Sequence, residues 1–171
     1  MAYWQYLTTE AYASRLMLAA GYVKGCPIII ELGGYKTPIT PFLSYPFEKS
    51  INLDPLTESY SDEKTLFLPI DYREYDFSPY MKKDFALVMM RMEIPYSQVL
   101  HNLVCSAKII VIDYPVNHKV SLQLLDDILL RADLRKKIHL KMDLSCTPLE
   151  LSKDSFPPYP QRESLVLEPG L

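Results

Sequence analysis

Glycine is scarce in this chain, with five in 171 residues, while fourteen prolines interrupt it. The glycine-rich phosphate loops are missing accordingly. Neither the GxGxxG dinucleotide fingerprint nor a Walker A sequence occurs, which argues against nicotinamide, flavin and P-loop chemistry. Cysteine is nearly absent too. Cys26, Cys105 and Cys146 are odd in number and far apart, and no CxxC occurs. Neither a disulfide framework nor a metal-ligand spacing is read from them. No apolar run approaches the roughly 20 residues of a membrane-spanning helix. The first twelve residues lack a basic stretch followed by an apolar one, so no signal peptide is expected. Neither sign of charge dominates: the net charge is −3. That argues against a general nucleic-acid or membrane-surface binder. A cytoplasmic protein with one core is the expectation.

What the chain does hold is a series of short, continuous apolar runs. Ile28-Ile29-Ile30, Leu87-Val88-Met89-Met90 and Ile109-Ile110-Val111-Ile112 read as strands covered on both faces. Ile51-Asn52-Leu53 and Leu66-Phe67-Leu68 are shorter candidates. Residues 8–24 read as a helix, capped by Thr8 or Thr9 and ended by Gly21 or Gly25. A second helix follows Ser97, with Val99, Leu100, Leu103, Val104 and Ala107 as its buried stripe. A third is expected to start at a Ser121 cap, with Leu122, Leu125 and Leu129 on one face. Strands alternating with helices imply parallel pairing through crossovers. The end differs. Ile138 to Asp143 alternates apolar and polar residues, and Ser164 to Leu167 forms a last strand with no helix between, so an antiparallel pair is expected. In the first half, Pro38, Pro41 and Pro46 leave room only for short helices. The reading is a three-layer α/β, Rossmann-like fold with a mostly parallel sheet, preceded by a helical segment at 1–25, the α/β domain occupying 26–171.

In an open parallel sheet, ligands bind beyond the carboxyl ends of the strands, where strand order reverses. Acids cluster there: Glu31, Asp54, Asp71 and Asp113. Carboxylates in such places accept hydrogen bonds from ribose hydroxyls, an amino group or a cationic ligand. The sequence Ile28-Ile29-Ile30-Glu31-Leu32-Gly33-Gly34 resembles the first motif of the class I S-adenosylmethionine-dependent methyltransferases, an apolar strand ending in acid-x-Gly-x-Gly. Asp54 lies 21 residues after Gly33, where the family carries a ribose-binding acid. The resemblance, which runs from about residue 26 to 168, implies S-adenosylmethionine as cofactor. It implies that Glu31, Gly33 and Gly34 shape the methionine end of the site, with Tyr35 beside them among the cofactor-binding candidates. It further implies that Asp54 binds ribose, Asp71 binds the adenine amine, and Met90 and Arg91 lie beside the methyl donor.

The chain also departs from the family. Tyr35 stands where the pattern has glycine. Glu93-Ile94-Pro95-Tyr96 occupies the place of the Asn/Asp-Pro-Pro-Tyr motif of amino methyltransferases but matches only its end; a strand terminator before the Ser97 cap is the plainer reading. Glu93, as an acceptor for an amine, and His118, as a general base after the strand ending near Asp113, are the catalytic candidates. His101 and His139 read as structural or exposed. The expected partner is a small-molecule methyl acceptor, with no nucleic acid and no membrane. Tyr3, Trp4 and Tyr6 have three uses open to them: a lid, packing on the sheet, or a homodimer contact. Tyr35 also motivates an alternative, a methyltransferase-like binding or accessory protein without catalysis. Another nucleotide-binding Rossmann-like protein is the third reading.

Overall fold

The computed structural model describes residues 10–35, 38–90, 94–116, 118–143 and 161–170. The first helix, α1, spans Glu10–Tyr22. Its end is set by Gly25, whose φ of +95° only glycine adopts without strain. Thr8 and Thr9, expected as its caps, lie outside the described residues. Then come β1 (Ile28–Leu32), β2 (Lys49–Leu53), β3 (Tyr60–Ser61), β4 (Thr65–Leu68) and β5 (Phe85–Met89). The second half runs α2 (Gln98–Ser106), β6 (Ile109–Pro115), α3 (Lys119–Arg131), β7 (Leu134–Asp143) and β8 (Gln161–Pro169).

One eight-stranded sheet results, in the order β3-β4-β2-β1-β5-β6-β8-β7. β4, β2, β1, β5 and β6 are parallel. β8 runs antiparallel between β6 and β7, which realises the expected C-terminal pair. The two-residue β3 adds an antiparallel edge beside β4 that the sequence did not signal. Strand order reverses between β1 and β5, so the ligand crevice falls at the carboxyl ends of β1, β2 and β5.

Alternation along the strands builds two cores. Ile28, Ile30, Phe85, Leu87, Met89, Ile110 and Ile112 pack against α2 and α3. Ile29, Ala86, Val88, Val111 and Val166 face Leu16 and Ala19 of α1 and Val23 just after it. Burying each of the larger side chains contributes on the order of 1.5–3 kcal/mol. The expected thinness of the first half holds, because single 3-10 turns at Thr40–Phe42 and Tyr72–Glu74 replace full helices.

Two readings need correction. Ser97 does cap α2, its Oγ accepting the Leu100 N–H at 3.1 Å. Ser121, however, does not cap α3. The helix starts at Lys119, and Ser121 is buried inside its first turn. The buried stripe is Ser121, Leu124, Leu125 and Ile128, while Leu122 and Leu129 are half-buried. Leu125 belongs to the buried face as expected, and its other members lie one residue earlier than read. In β7 a bulge between Lys136 and Ile138 shifts the register. It moves Ile138 from the face of Leu167 to that of Val166, so Leu134 packs on one core and Ile138 on the other.

Candidate cofactor-binding site

The turn after β1 is built around Tyr35. Gly33 takes φ +74° and Tyr35 takes φ +48°. A left-handed residue other than glycine costs about 1–2 kcal/mol, so the surroundings must enforce it. They do so from both sides of the residue. The Tyr35 N–H donates to Asp54 Oδ2 at 2.9 Å. Its carbonyl accepts the Thr57 hydroxyl at 3.0 Å and the Asn52 amide at 3.5 Å. The same Asn52 side chain accepts the Gly34 N–H at 3.2 Å. Asn52 therefore brackets the Gly34–Tyr35 unit, and Asp54 closes it. Thus the backbone shape expected of glycine is present, held in a tyrosine by β2 and the loop behind it.

Gly34 is required for a different reason than cofactor approach. A Cβ there would collide with the Asn52 side chain and come within 2.8 Å of Glu31 Cδ. The close contact is between β1, β2 and their own turn. Glu31, buried at the end of β1, accepts the Ile39 N–H at 2.9 Å and so ties the returning loop to the strand.

Beyond this turn opens a cavity of about 350 Å³. That size lies in the range of small-ligand pockets, roughly 300–1,000 Å³. Of the residues expected at a cofactor, Gly33, Tyr35, Asp54 and Asp71 line it. Glu31, Gly34 and Met90 are buried and do not line it. Arg91 and Glu93 lie outside the described residues. Leu53, Pro55, Leu56, Tyr72, Ile94 and Pro95 complete its lining.

The two acids differ. Asp54 takes the Leu56 N–H on Oδ1 at 2.8 Å as well as the Tyr35 N–H on Oδ2. A carboxylate has about four acceptor positions, so each oxygen keeps one unused. Asp71 is engaged by its neighbour: Arg73 forks onto it at 2.9 and 2.7 Å and adds its own N–H. The Arg73 side-chain hydrogen bond holds the Asp71 carboxyl below the usual range. Tyr72 is tied to the segment that leads into α2. Its hydroxyl donates to the Pro95 carbonyl, and its oxygen lies 2.9 Å from Ser97 Oγ. Burial raises its phenol pKa.

His118 stands apart from this cavity. It occupies the N-cap position of α3, and its Nδ1 is 2.8 Å from Ser121 Oγ. The sequence reading missed the most heavily bonded group nearby. Asp113, fully buried in β6, receives Arg15 of α1 and Arg162 of β8. Ser164 Oγ donates to it at 2.9 Å. Both guanidiniums also donate to the Met90 carbonyl, at 3.2 and 3.3 Å. Asp113, expected among the ligand-facing acids, is thus an internal anchor. It fixes the last residue before the 91–93 segment. Only for Asn52 was there a signal: a polar residue inside a strand buried on both faces.

No protein-family model matches the chain, and no curated protein matches it in sequence. Solved structures do. The N-methyltransferase NodS from Bradyrhizobium japonicum, in complex with S-adenosyl-L-homocysteine, superposes with a TM-score of 0.60 at 10% identity, over 96% of this chain and 90% of that one. An rRNA methylase from Streptococcus thermophilus gives 0.56 at 12%, over 94% and 96%. The plantazolicin methyltransferase BpumL, also in complex with S-adenosylhomocysteine, gives 0.52 at 12%, over 93% and 84%. At these identities the likeness is one of fold. The chain has the Rossmann-like fold of the class I methyltransferases. Among the described residues, no helix is long and apolar enough to cross a membrane.

Proposed function

We propose that the chain binds S-adenosylmethionine in the cavity beside Tyr35 and transfers its methyl group to a small-molecule acceptor. The observation that carries this reading is Asp54. It follows β2, clamps the left-handed turn after β1, lines the cavity, and has an acceptor position left on each oxygen. A vicinal diol needs that arrangement, since two hydroxyls can donate to one carboxylate. Tyr72, Pro95 and Leu56 line the cavity and offer apolar surface suited to a planar base. The fold, and the S-adenosylhomocysteine bound in two of the similar structures, support the same cofactor.

In this reading Gly33, Tyr35 and Asp54 hold the nucleoside, and Asp71 offers its remaining acceptor position to the adenine amine. Glu31, Gly34 and Met90 act from behind, by fixing the turn and the end of β5. Arg91 and Glu93 belong to the segment beside the donor. His118 is retained as a base only for an acceptor that reaches the start of α3. Bound S-adenosylmethionine supplies a methyl group activated by its sulfonium. The protein contributes alignment and a fixed electrostatic setting.

A small-molecule acceptor is favoured by the net charge of −3, although an rRNA methylase shares the fold. Incubating the protein with methyl-labelled S-adenosylmethionine and either a small-metabolite fraction or total RNA tests this. Label is expected in the metabolite fraction, absent with Asp54→Ala. Label entering RNA alone would reverse the acceptor class. Cofactor binding without any transfer would favour the accessory reading, which Tyr35 in a glycine position supports.

A further inference from the structure

The two acids that line the cavity are held in different ways. Asp54 is bonded by two backbone N–H groups, one on each oxygen. Asp71 is bonded three times by a single residue, Arg73. Its Oδ1 accepts the Arg73 backbone N–H and the Nε–H, both at 2.9 Å, and its Oδ2 accepts an Nη2–H at 2.7 Å. Tyr72 stands between them in the chain, buried, with its hydroxyl on the Pro95 carbonyl and 2.9 Å from Ser97 Oγ. The 3-10 turn Tyr72–Glu74 is thus anchored through Tyr72, while Arg73 fixes the carboxylate that precedes it.

A carboxylate has about four acceptor positions. Three are filled at Asp71, and one, on Oδ2, is left among the described residues. A planar guanidinium forked onto a carboxylate fixes its plane as well as offsetting its charge. The Arg73 side chain is 51% exposed, and a pair this exposed adds little to stability. Its consequence is a carboxylate that does not turn.

We propose that Arg73 is a positioning residue that sets the base preference of the cavity, holding Asp71 as a fixed, single acceptor for an amino-bearing purine and against the oxo-bearing counterpart. The proposal rests on the cofactor reading above. The exocyclic amine of adenine has a hydrogen to donate to the one position left. The carbonyl that replaces it in hypoxanthine brings lone pairs against a group that only accepts. The neighbouring ring nitrogen of hypoxanthine carries a hydrogen, so a carboxylate free to turn escapes the carbonyl and accepts from that N–H instead. A forked carboxylate does not make this adjustment, and the wrong base leaves acceptor facing acceptor. Discrimination therefore lies in the rigidity of Asp71. Arg73 acts through it and, unlike Asp71, does not line the cavity.

The test is calorimetric titration with S-adenosylhomocysteine and with S-inosylhomocysteine, its deaminated analogue. The wild type is expected to prefer the amino ligand about tenfold, the equivalent of one hydrogen bond. Arg73→Met removes fork and charge together, whereas Arg73→Lys keeps the charge and loses the fork. Both are expected to bring the preference below about threefold, a loss of most of that one bond. A merely structural role would weaken both ligands alike and leave their ratio unchanged. Circular dichroism checks each fold, and either variant suffices if the other is damaged. A preference that is absent in the wild type, or retained in Arg73→Met, overturns the role of Arg73. A preference retained in Arg73→Lys overturns the fork as its source. If the folded wild type binds neither ligand, the cofactor reading itself fails and the proposal falls with it.

Discussion

Arg15 and Asp113 form a buried ion pair between the N-terminal helix and the sixth strand, across 98 positions of sequence. Arg162 shares the same carboxylate from the other side. Three elements and the Met90 carbonyl are joined at one buried point. Removing one member of such a group leaves charge buried without its partner, which costs roughly 3–5 kcal/mol. Asp113→Ala is therefore expected to lower unfolding stability by about that much in denaturant titration, more than any surface pair here. The Arg15→Met and Arg162→Met effects should be non-additive. Additive single effects would mean that the arginines act independently.

The clamp around Tyr35 predicts an ordering of variants. Both Tyr35→Gly and Tyr35→Ala delete the ring, but only glycine accepts a φ of +48° without strain. Thermal or chemical unfolding should find the glycine variant more stable than the alanine variant by about 1 kcal/mol. Equal stabilities would show that the turn relaxes once the ring is gone.

Tyr72, which lines the cavity, is tied to the start of α2 through Pro95 and Ser97. Tyr72→Phe keeps the apolar wall and removes the hydroxyl. A loss of about 1 kcal/mol in stability is expected from the hydrogen bonds. The affinity for S-adenosylhomocysteine should fall with it, because the wall loses its tether. An unchanged affinity would confine Tyr72 to a structural role.

Glu163 of β8 supplies a pH dependence with a definite sign. The Tyr114 hydroxyl bonded to it, aided by His139, holds its carboxyl below the ordinary value of 4.5. A carboxyl more acidic in the folded chain than in the unfolded one stabilises the fold fully above about 4.5. That contribution is lost as pH falls through the lowered value. Glu163→Gln should therefore flatten the fall of the unfolding midpoint below about pH 4.5, and leave a smaller difference from wild type at the acid end than at neutrality. A parallel displacement at every pH would contradict the linkage.

How much of this was legible in the sequence follows from what each feature depends on. β1, β5 and β6 are buried on both faces, so their apolar runs announce them wherever they sit. Ser97 caps α2 through a bond three residues away, which is local information. At α3 a local reading failed, because His118 rather than Ser121 precedes the first turn and no side chain caps it. The bulge in β7 is set by its partner strand, and the alternation alone does not reveal it. In the site, Gly33, Asp54 and Asp71 were readable through their position after strands. Arg15 and Arg162 were not, since only the folded sheet brings them to Asp113.

Calorimetric titration of the purified protein with S-adenosylmethionine and S-adenosylhomocysteine, with Asp54→Ala beside the wild type, tests the central claim most directly. Both ligands are expected to bind at one site with micromolar or tighter affinity, and the folded Asp54→Ala variant to bind at least tenfold more weakly. No binding by the folded wild type, or equal binding by the variant, would contradict the placement of the cofactor at this turn.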